Sequence, residues 1–124
     1  MMRLVIQLWQ SGTHDAQHSA TPFMIAASAA AMDVEVCIHA LGSSVELFEQ
    51  SNHARHTPVA PLGRALSAYI DDALRSGVRV ALCSTAMRDR ALAPADMIPD
   101  ATEIIGMVSM LELALDPTCK VLVY

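Results

Sequence analysis

The sequence predicts an α/β protein: one three-layer α/β/α domain in which helices cover a mainly parallel, five-stranded sheet. Three observations lead there. Short aliphatic runs alternate with helical segments along the whole chain, the order that builds parallel strands joined by crossover helices. The runs are nearly continuous rather than alternating apolar and polar, so they read as strands covered on both faces. The length of 124 residues suits one domain, since single cores run to roughly 100–200 residues, and no linker or internal repeat divides 1–124.

The first run, Arg3–Gln10 (RLVIQLWQ), ends in the polar, glycine-containing stretch Ser11–His18. Ser19 or Thr21 can then cap a helix, with Pro22 preset for its first turn, followed by the alanine-rich Phe23–Met32. Val34–Ala40 (VEVCIHA) is the second strand, broken by Leu41-Gly42-Ser43-Ser44. Val45–Phe48 reads as a helical turn. Glu49–Pro61, with His53, His56, an arginine and two prolines, reads as an exposed loop. From Leu62, the residues Leu66, Tyr69, Ile70, Ala73 and Leu74 recur at three- and four-residue steps, and Gly77 sits where a helix cap belongs.

Val78–Cys83 (VRVALC) is the third strand and Ser84–Arg90 a short helix that begins at once. Pro94 and Met97–Asp100 connect to a short apolar strand, Glu103–Gly106. Met107–Leu115 is helical by content and is stopped by Asp116-Pro117. Lys120–Tyr124 (KVLVY) closes the sheet.

Charge and composition exclude several function classes. Eight basic against 13 acidic residues give a net charge of −5, which argues against nucleic-acid backbones and anionic membranes as partners. No apolar stretch approaches the ~20 residues of a membrane span, and the first residues lack the pattern of a secretory signal. Three widely spaced cysteines make neither a disulfide framework nor a Cys-x-x-Cys pair. A reducing, cytoplasmic location is the expectation. With 53% hydrophobic and 17% charged residues, a monomer of this size would leave apolar surface uncovered, so oligomerisation is expected as well.

Ligands of open α/β sheets bind outside the carboxyl ends of the strands. That edge should carry His14 and His18 after the first strand, His39 after the second, and Cys83 with Ser84 and Thr85 after the third. One thiol and up to three imidazoles are therefore expected on one rim. At Cys83, amides of Ser84, Thr85 and Ala86 facing the sulfur, with Arg88 or Arg90 nearby, would favour a thiolate, a persulfide anion or a bound oxyanion. The same position equally suits a small buried hydrophobe. Cys37 lies mid-strand, where burial is expected. Cys119 stands at the opposite edge of the sheet from Cys83, too far for a disulfide. His14 or His39 can act as a proton donor beside Cys83. Alternatively, His14, His39, Cys83 and Asp15 can supply the ligands of a tetrahedral metal site, or the histidines are simply exposed or hydrogen-bonded. A Walker loop, a Gly-x-Gly-x-x-Gly turn and a Gly-x-Ser-x-Gly elbow are all absent from the sequence.

Three segments in this order carry a family resemblance: GVRVALCSTAMRDRAL (Gly77–Leu92), EIIGMVSMLELAL (Glu103–Leu115) and KVLVY (Lys120–Tyr124). With the opening strand, the polar loop holding Asp15, Thr21–Met32 and VEVCIHALG (Val34–Gly42), the chain resembles the DsrE/DsrF-like sulfur-relay family over almost its whole length. The likeness is weakest across Glu49–Pro61, whose His53 and His56 match no family pattern. The resemblance implies the five-stranded DsrEFH/YchN-like fold, a homo-oligomer (trimer or hexamer), and a cytoplasmic sulfur carrier. It implies a persulfide on Cys83, the residue that matches the family's sulfur-carrying cysteine; the sheet-edge reading adds His14, His39, Ser84, Thr85 and Arg88 as candidate assisting residues. TusA-like or rhodanese-like proteins are the partners it implies, and the chemistry requires no metal or organic cofactor. The alternative is a non-catalytic structural subunit, or a metal- or small-molecule-binding one.

Overall fold

The computed structural model describes residues 2–12, 14–101 and 103–124. Strand β1 (Arg3–Leu8) leads into helix α1 (Ala16–Ala31) and strand β2 (Glu35–Ala40). A 3-10 helix (Gly42–Phe48) and a second 3-10 turn (His53–His56) precede a two-stranded hairpin, β3 (Pro58–Val59) and β4 (Arg64–Ala65). Helix α2 (Leu66–Arg75), strand β5 (Arg79–Cys83) and helix α3 (Ser84–Asp89) follow. The chain ends with β6 (Glu103–Ile105), α4 (Met107–Ala114) and β7 (Cys119–Val123). The main sheet is parallel throughout, in the order β6-β5-β2-β1-β7. This is the expected α/β architecture, and each aliphatic run supplies one of its strands.

From β1 the chain steps outward in one direction through β2, β5 and β6, then returns to place β7 on the far side of β1. Right-handed crossovers put α1, α2 and α3 on one face and leave α4 to cover the other. On the first face, Ile6, Leu8, Val36, Ile38, Val80 and Leu82 pack with Phe23 and Ala26 of α1 and with Leu66 and Ile70 of α2. The small side chains of α1 suit this: where alanines face a sheet or a neighbouring helix, the backbones approach closely. Phe23 and Phe48 meet edge to face at 5.9 Å and tie the 3-10 helix into the same core.

Three local expectations are corrected. Helix α1 begins at Ala16, not at Ser19 or Thr21, because the Asp15 carboxylate caps it by accepting the His18 N–H at 3.0 Å. Ser19 is buried and its hydroxyl donates to the Gly12 carbonyl instead, while Pro22 falls inside the helix. Helix α2 begins at Leu66, and Leu62 is an exposed residue of the hairpin turn. Its C-terminus does follow expectation, with Gly77 at φ +92°, a conformation that costs glycine little. The segment Glu49–Pro61 is not a simple exposed loop. Arg55 is buried because its Nε donates to the Leu47 carbonyl at 2.7 Å, and Val59 is buried in the core.

The capping assignment is testable. Asp15→Ala should cost about 0.5–2 kcal/mol of stability by chemical denaturation, and Asp15→Asn should restore most of it. A helix starting at Ser19 or Thr21 would be indifferent to both.

Candidate functional site

The parallel register determines where Cys83 sits. Leu82 pairs with Ala40, the last residue of β2, so Cys83 reaches one residue beyond that row and pairs only outward, with Ile105 of β6. It is the last residue of β5 and the residue before α3, with extended backbone (φ −68°, ψ 122°), so no loop separates strand from helix. The Cys83 side chain is 3% exposed, yet it forms part of the wall of an open cleft of about 290 Å³. Trp9, Leu41 and Gly42 contribute from the chain leaving β1 and β2, Thr85, Ala86, Asp89 and Arg90 from α3 and the residue that caps it, and Met107 from the start of α4. Gly42 adopts φ +54°, with its α-carbon facing the Trp9 carbonyl. Trp9 and Met107 stand half-exposed at the mouth.

The cleft is largely apolar, and its guanidinium is already engaged. Arg90 donates from Nη1 to the Ala86 carbonyl at 3.2 Å and lies 3.7 Å from the Glu46 carboxylate. Thr85, two residues after the thiol, lines the cleft. Ser84 opens α3 half-buried, and Arg88 is exposed outside the lining residues. The cation beside the thiol is therefore Arg90.

The imidazoles do not join Cys83. His14 lies in a separate crevice of about 390 Å³ with Gln10, Asp15, His18 and Ser43, because the chain leaving β1 turns toward the start of α1. The His18 ring stands 6.4 Å from that of Tyr124, at the β1–β7 side of the sheet. His39 is not on the rim at all. It is the fifth of six residues in β2, in register between Gln7 and Ala81, and is fully buried. Among the described residues no three His, Cys, Asp or Glu side chains are placed to hold a metal ion, so the proposed ligand set of His14, His39, Cys83 and Asp15 is not assembled.

The other two cysteines have different environments. Cys37 is buried beside a cavity of about 120 Å³ that Leu113 of α4 also lines. Burial pushes its thiol up to about 11, against the pull of Arg79, and a thiol of that kind is a poor nucleophile at neutral pH. Cys119 is the first residue of β7, at the opposite end of the sheet from Cys83, and burial raises its thiol too. Two ion pairs bound this end of the sheet, Arg3–Glu35 at 3.3 Å and Arg79–Glu103 at 2.7 Å.

Trp9, Arg90 and Met107 complete the cleft; Arg90 is one of the two arginines expected near the thiol, whereas the sequence does not single out Trp9 and Met107 for the site. Trp9 falls inside a first strand that the sequence extends to Gln10 and the structure ends at Leu8, and Met107 is simply the first residue of a helix. The available signal was topological: all three follow the carboxyl ends of strands or begin the next helix, the edge where Cys83 lies.

A model of the DsrE/DsrF-like family matches residues 4–123. The chain belongs to the DsrE/DsrF-like family. That family is linked to sulfur relay. The crystal structure of the ychN protein from E. coli is similar over the full length of both chains, with a TM-score of 0.79 and 15% identity. The protein of unknown function MTH1491 from Methanobacterium thermoautotrophicum also covers both chains fully, with a TM-score of 0.68 and 13% identity. The conserved protein of unknown function BT1422 from Bacteroides thetaiotaomicron covers 98% of this chain and 94% of its own, with a TM-score of 0.69 and 18% identity. At these identities the likeness establishes the fold. No curated protein matches the chain. Among the described residues, no helix is long and apolar enough to cross a membrane.

His39 makes a further measurable prediction for this family member. Among the described residues neither of its ring nitrogens has a hydrogen-bond partner, and burial lowers its pKa from the ordinary 6.5. The unfolded chain therefore takes up a proton near pH 6.5 that the folded protein resists. Stability from this group is full above that pH and falls as pH drops toward the folded-state value. The melting temperature should decline between pH 7.5 and 5.5, and His39→Leu should flatten that decline without loss of stability at pH 7.5, since it removes two unsatisfied polar atoms. An equal decline in the variant would assign the acid limb to other groups.

Proposed function

We propose that this chain is a cytoplasmic sulfur carrier of the sulfurtransferase type, which holds sulfane sulfur as a persulfide on Cys83 and passes it to a partner protein thiol. One observation carries the reading: of the three cysteines, Cys83 combines a place at the carboxyl edge of the sheet with a wall of an open cleft. Cys37 is buried with its thiol pushed up to about 11, and Cys119 lies at the other end of the strands.

Sulfur transfer at this position balances without an outside oxidant. The Cys83 thiolate attacks the outer sulfur of a donor persulfide; the new sulfur–sulfur bond forms as the old one breaks, and the donor leaves as a thiolate. An acceptor thiolate then attacks the outer sulfur on Cys83, which returns to its thiolate. No metal or organic cofactor takes part. The recess that hides the Cys83 sulfur also limits its oxidation to sulfinic acid, and Thr85, Asp89 and Arg90 are the polar side chains that line the cleft with it.

The surroundings favour a protein-borne sulfur over a free oxyanion. The cleft is mostly apolar, and Arg90 is held by Ala86 and Glu46 rather than left to bind an anion. Half-exposed Trp9 and Met107 at the mouth suit the apolar surface of a small carrier of the TusA-like or rhodanese-like type. The chain acts as a homo-oligomer, which the exposed apolar residues of α4 and β7 support.

Incubation with a persulfidated donor or polysulfide, followed by intact and peptide mass spectrometry, tests the proposal. Expected is an adduct of about 32 Da, one sulfur atom, mapped to Cys83 and absent from Cys83→Ser. Equal loading of that variant on Cys37 or Cys119 overturns the assignment. A wild-type chain that takes up no sulfur would be a non-catalytic subunit.

A further inference from the structure

The cleft of Cys83 carries one charge that the fold leaves unmatched. Thr85 and Asp89 both line it, four residues apart and therefore on one side of α3. Asp89 is the last residue of that helix and is exposed. A carboxylate there faces the negative end of the helix, where cations are favoured, so α3 itself gains nothing from it. Among the described residues no ion pair takes in Asp89. Arg90 beside it is matched by the Glu46 carboxylate at 3.7 Å, and Arg88 stands outside the lining. The cleft is thus left with one net negative charge, on a chain whose own net charge is −5. Helical rise puts that charge about 9 Å along α3 from the thiol.

We propose that Asp89 is a specificity-determining residue of this cleft and selects sulfur partners that carry a cationic group beside the reacting sulfur. The inference rests on the reading of Cys83 as the sulfur-carrying thiol and names the chemistry of the partner that reading requires. At its distance the carboxylate does not touch the sulfurs that exchange. It acts on approach, attracting a partner whose sulfur is flanked by a lysine, an arginine or another ammonium group and opposing one flanked by carboxylates. Trp9 and Met107 meet the apolar part of such a partner, and Asp89 meets its charge. Like charges set against each other at a contact are what reject wrong partners.

Thiol–disulfide exchange with charged probes tests it. Cystamine carries an ammonium group on each half and 3,3′-dithiodipropionate a carboxylate. In each case the Cys83 thiolate attacks one probe sulfur, a mixed disulfide forms, and the other half leaves as a thiolate. The rate of labelling at Cys83 is read by peptide mass spectrometry and normalised to the rate of the same probe with 2-mercaptoethanol, which removes the probes' own difference in reactivity. At low salt the normalised rate should favour cystamine by about fivefold, the factor for unit charges about 9 Å apart in water when the probe changes sign. Asp89→Asn should bring the preference close to one, as should about 1 M salt, where the screening length is about 3 Å. Asp89→Glu should keep it. Asp33→Asn, at an exposed acid in the turn between α1 and β2, removes the same net charge and should also keep it. Equal normalised rates in the wild type, or a preference that survives Asp89→Asn, overturn the role of Asp89. Exchange needs no sulfane sulfur, so these outcomes stand apart from the sulfur-uptake test: a chain that shows the preference and loads no sulfur overturns the carrier reading, and the proposed partner with it.

Discussion

The parallel ladder between β2 and β5 is the constraint on which the site depends. Pairing of Ile38 with Val80 and of Ala40 with Leu82 buries both central strands in the core. Because strands rise about 3.3 Å per residue, this register ends β2 one residue short of Cys83. The thiol is thus carried just past the last row of the sheet, where α3 starts without an intervening loop. A slip of one residue would turn Cys83 onto the other face. The site is as rigid as the core because it is the end of a core strand.

That geometry also explains why the histidines separate from the thiol. Loops after parallel strands leave the same edge, but they leave it in directions set by the next crossover. The chain after β1 turns toward α1 and takes His14 and His18 to the β1–β7 side. His39 never leaves the sheet, because the ladder continues through Ala40. Its neutral ring among buried neighbours is a polar cost the fold tolerates, as it does at the buried hydroxyls of Ser11 and Ser44.

The order of elements was legible in the sequence because each strand is a short aliphatic run and each helix has its own composition. Boundaries were less legible where two signals competed. Ser19, Thr21 and Pro22 together imitate a helix start, yet Asp15 lies upstream and its carboxylate is the cap that forms. Leu62 continues the helical spacing of Leu66 and Ile70, but the β3–β4 hairpin takes it out of the helix. The burial of Arg55 had no local signal, since it depends on the Leu47 carbonyl eight residues away needing a donor. At the site, strand order predicted the position of Cys83. The convergence of side chains around it depended on loop directions, which periodicity does not encode.

The unequal layers connect composition to surface. A helix of eight residues is about 12 Å long, too short to cover five strands. On the opposite face, two longer helices and a docked hairpin enclose the core. Much of the exposed hydrophobic surface lies on the α4 side, at Val108, Leu111, Leu115, Val121 and Val123, with a second group on α1 at Met24 and Met32. β7 adds an edge strand whose side chains are exposed on both faces of the sheet, with Lys120 as its one charge. Edges of that kind are ordinarily covered, charged or shortened. The same reversal of strand order that puts β7 at the edge puts α4 alone on its face, so one topological choice creates both the apolar surface and its place beside the cleft of Cys83.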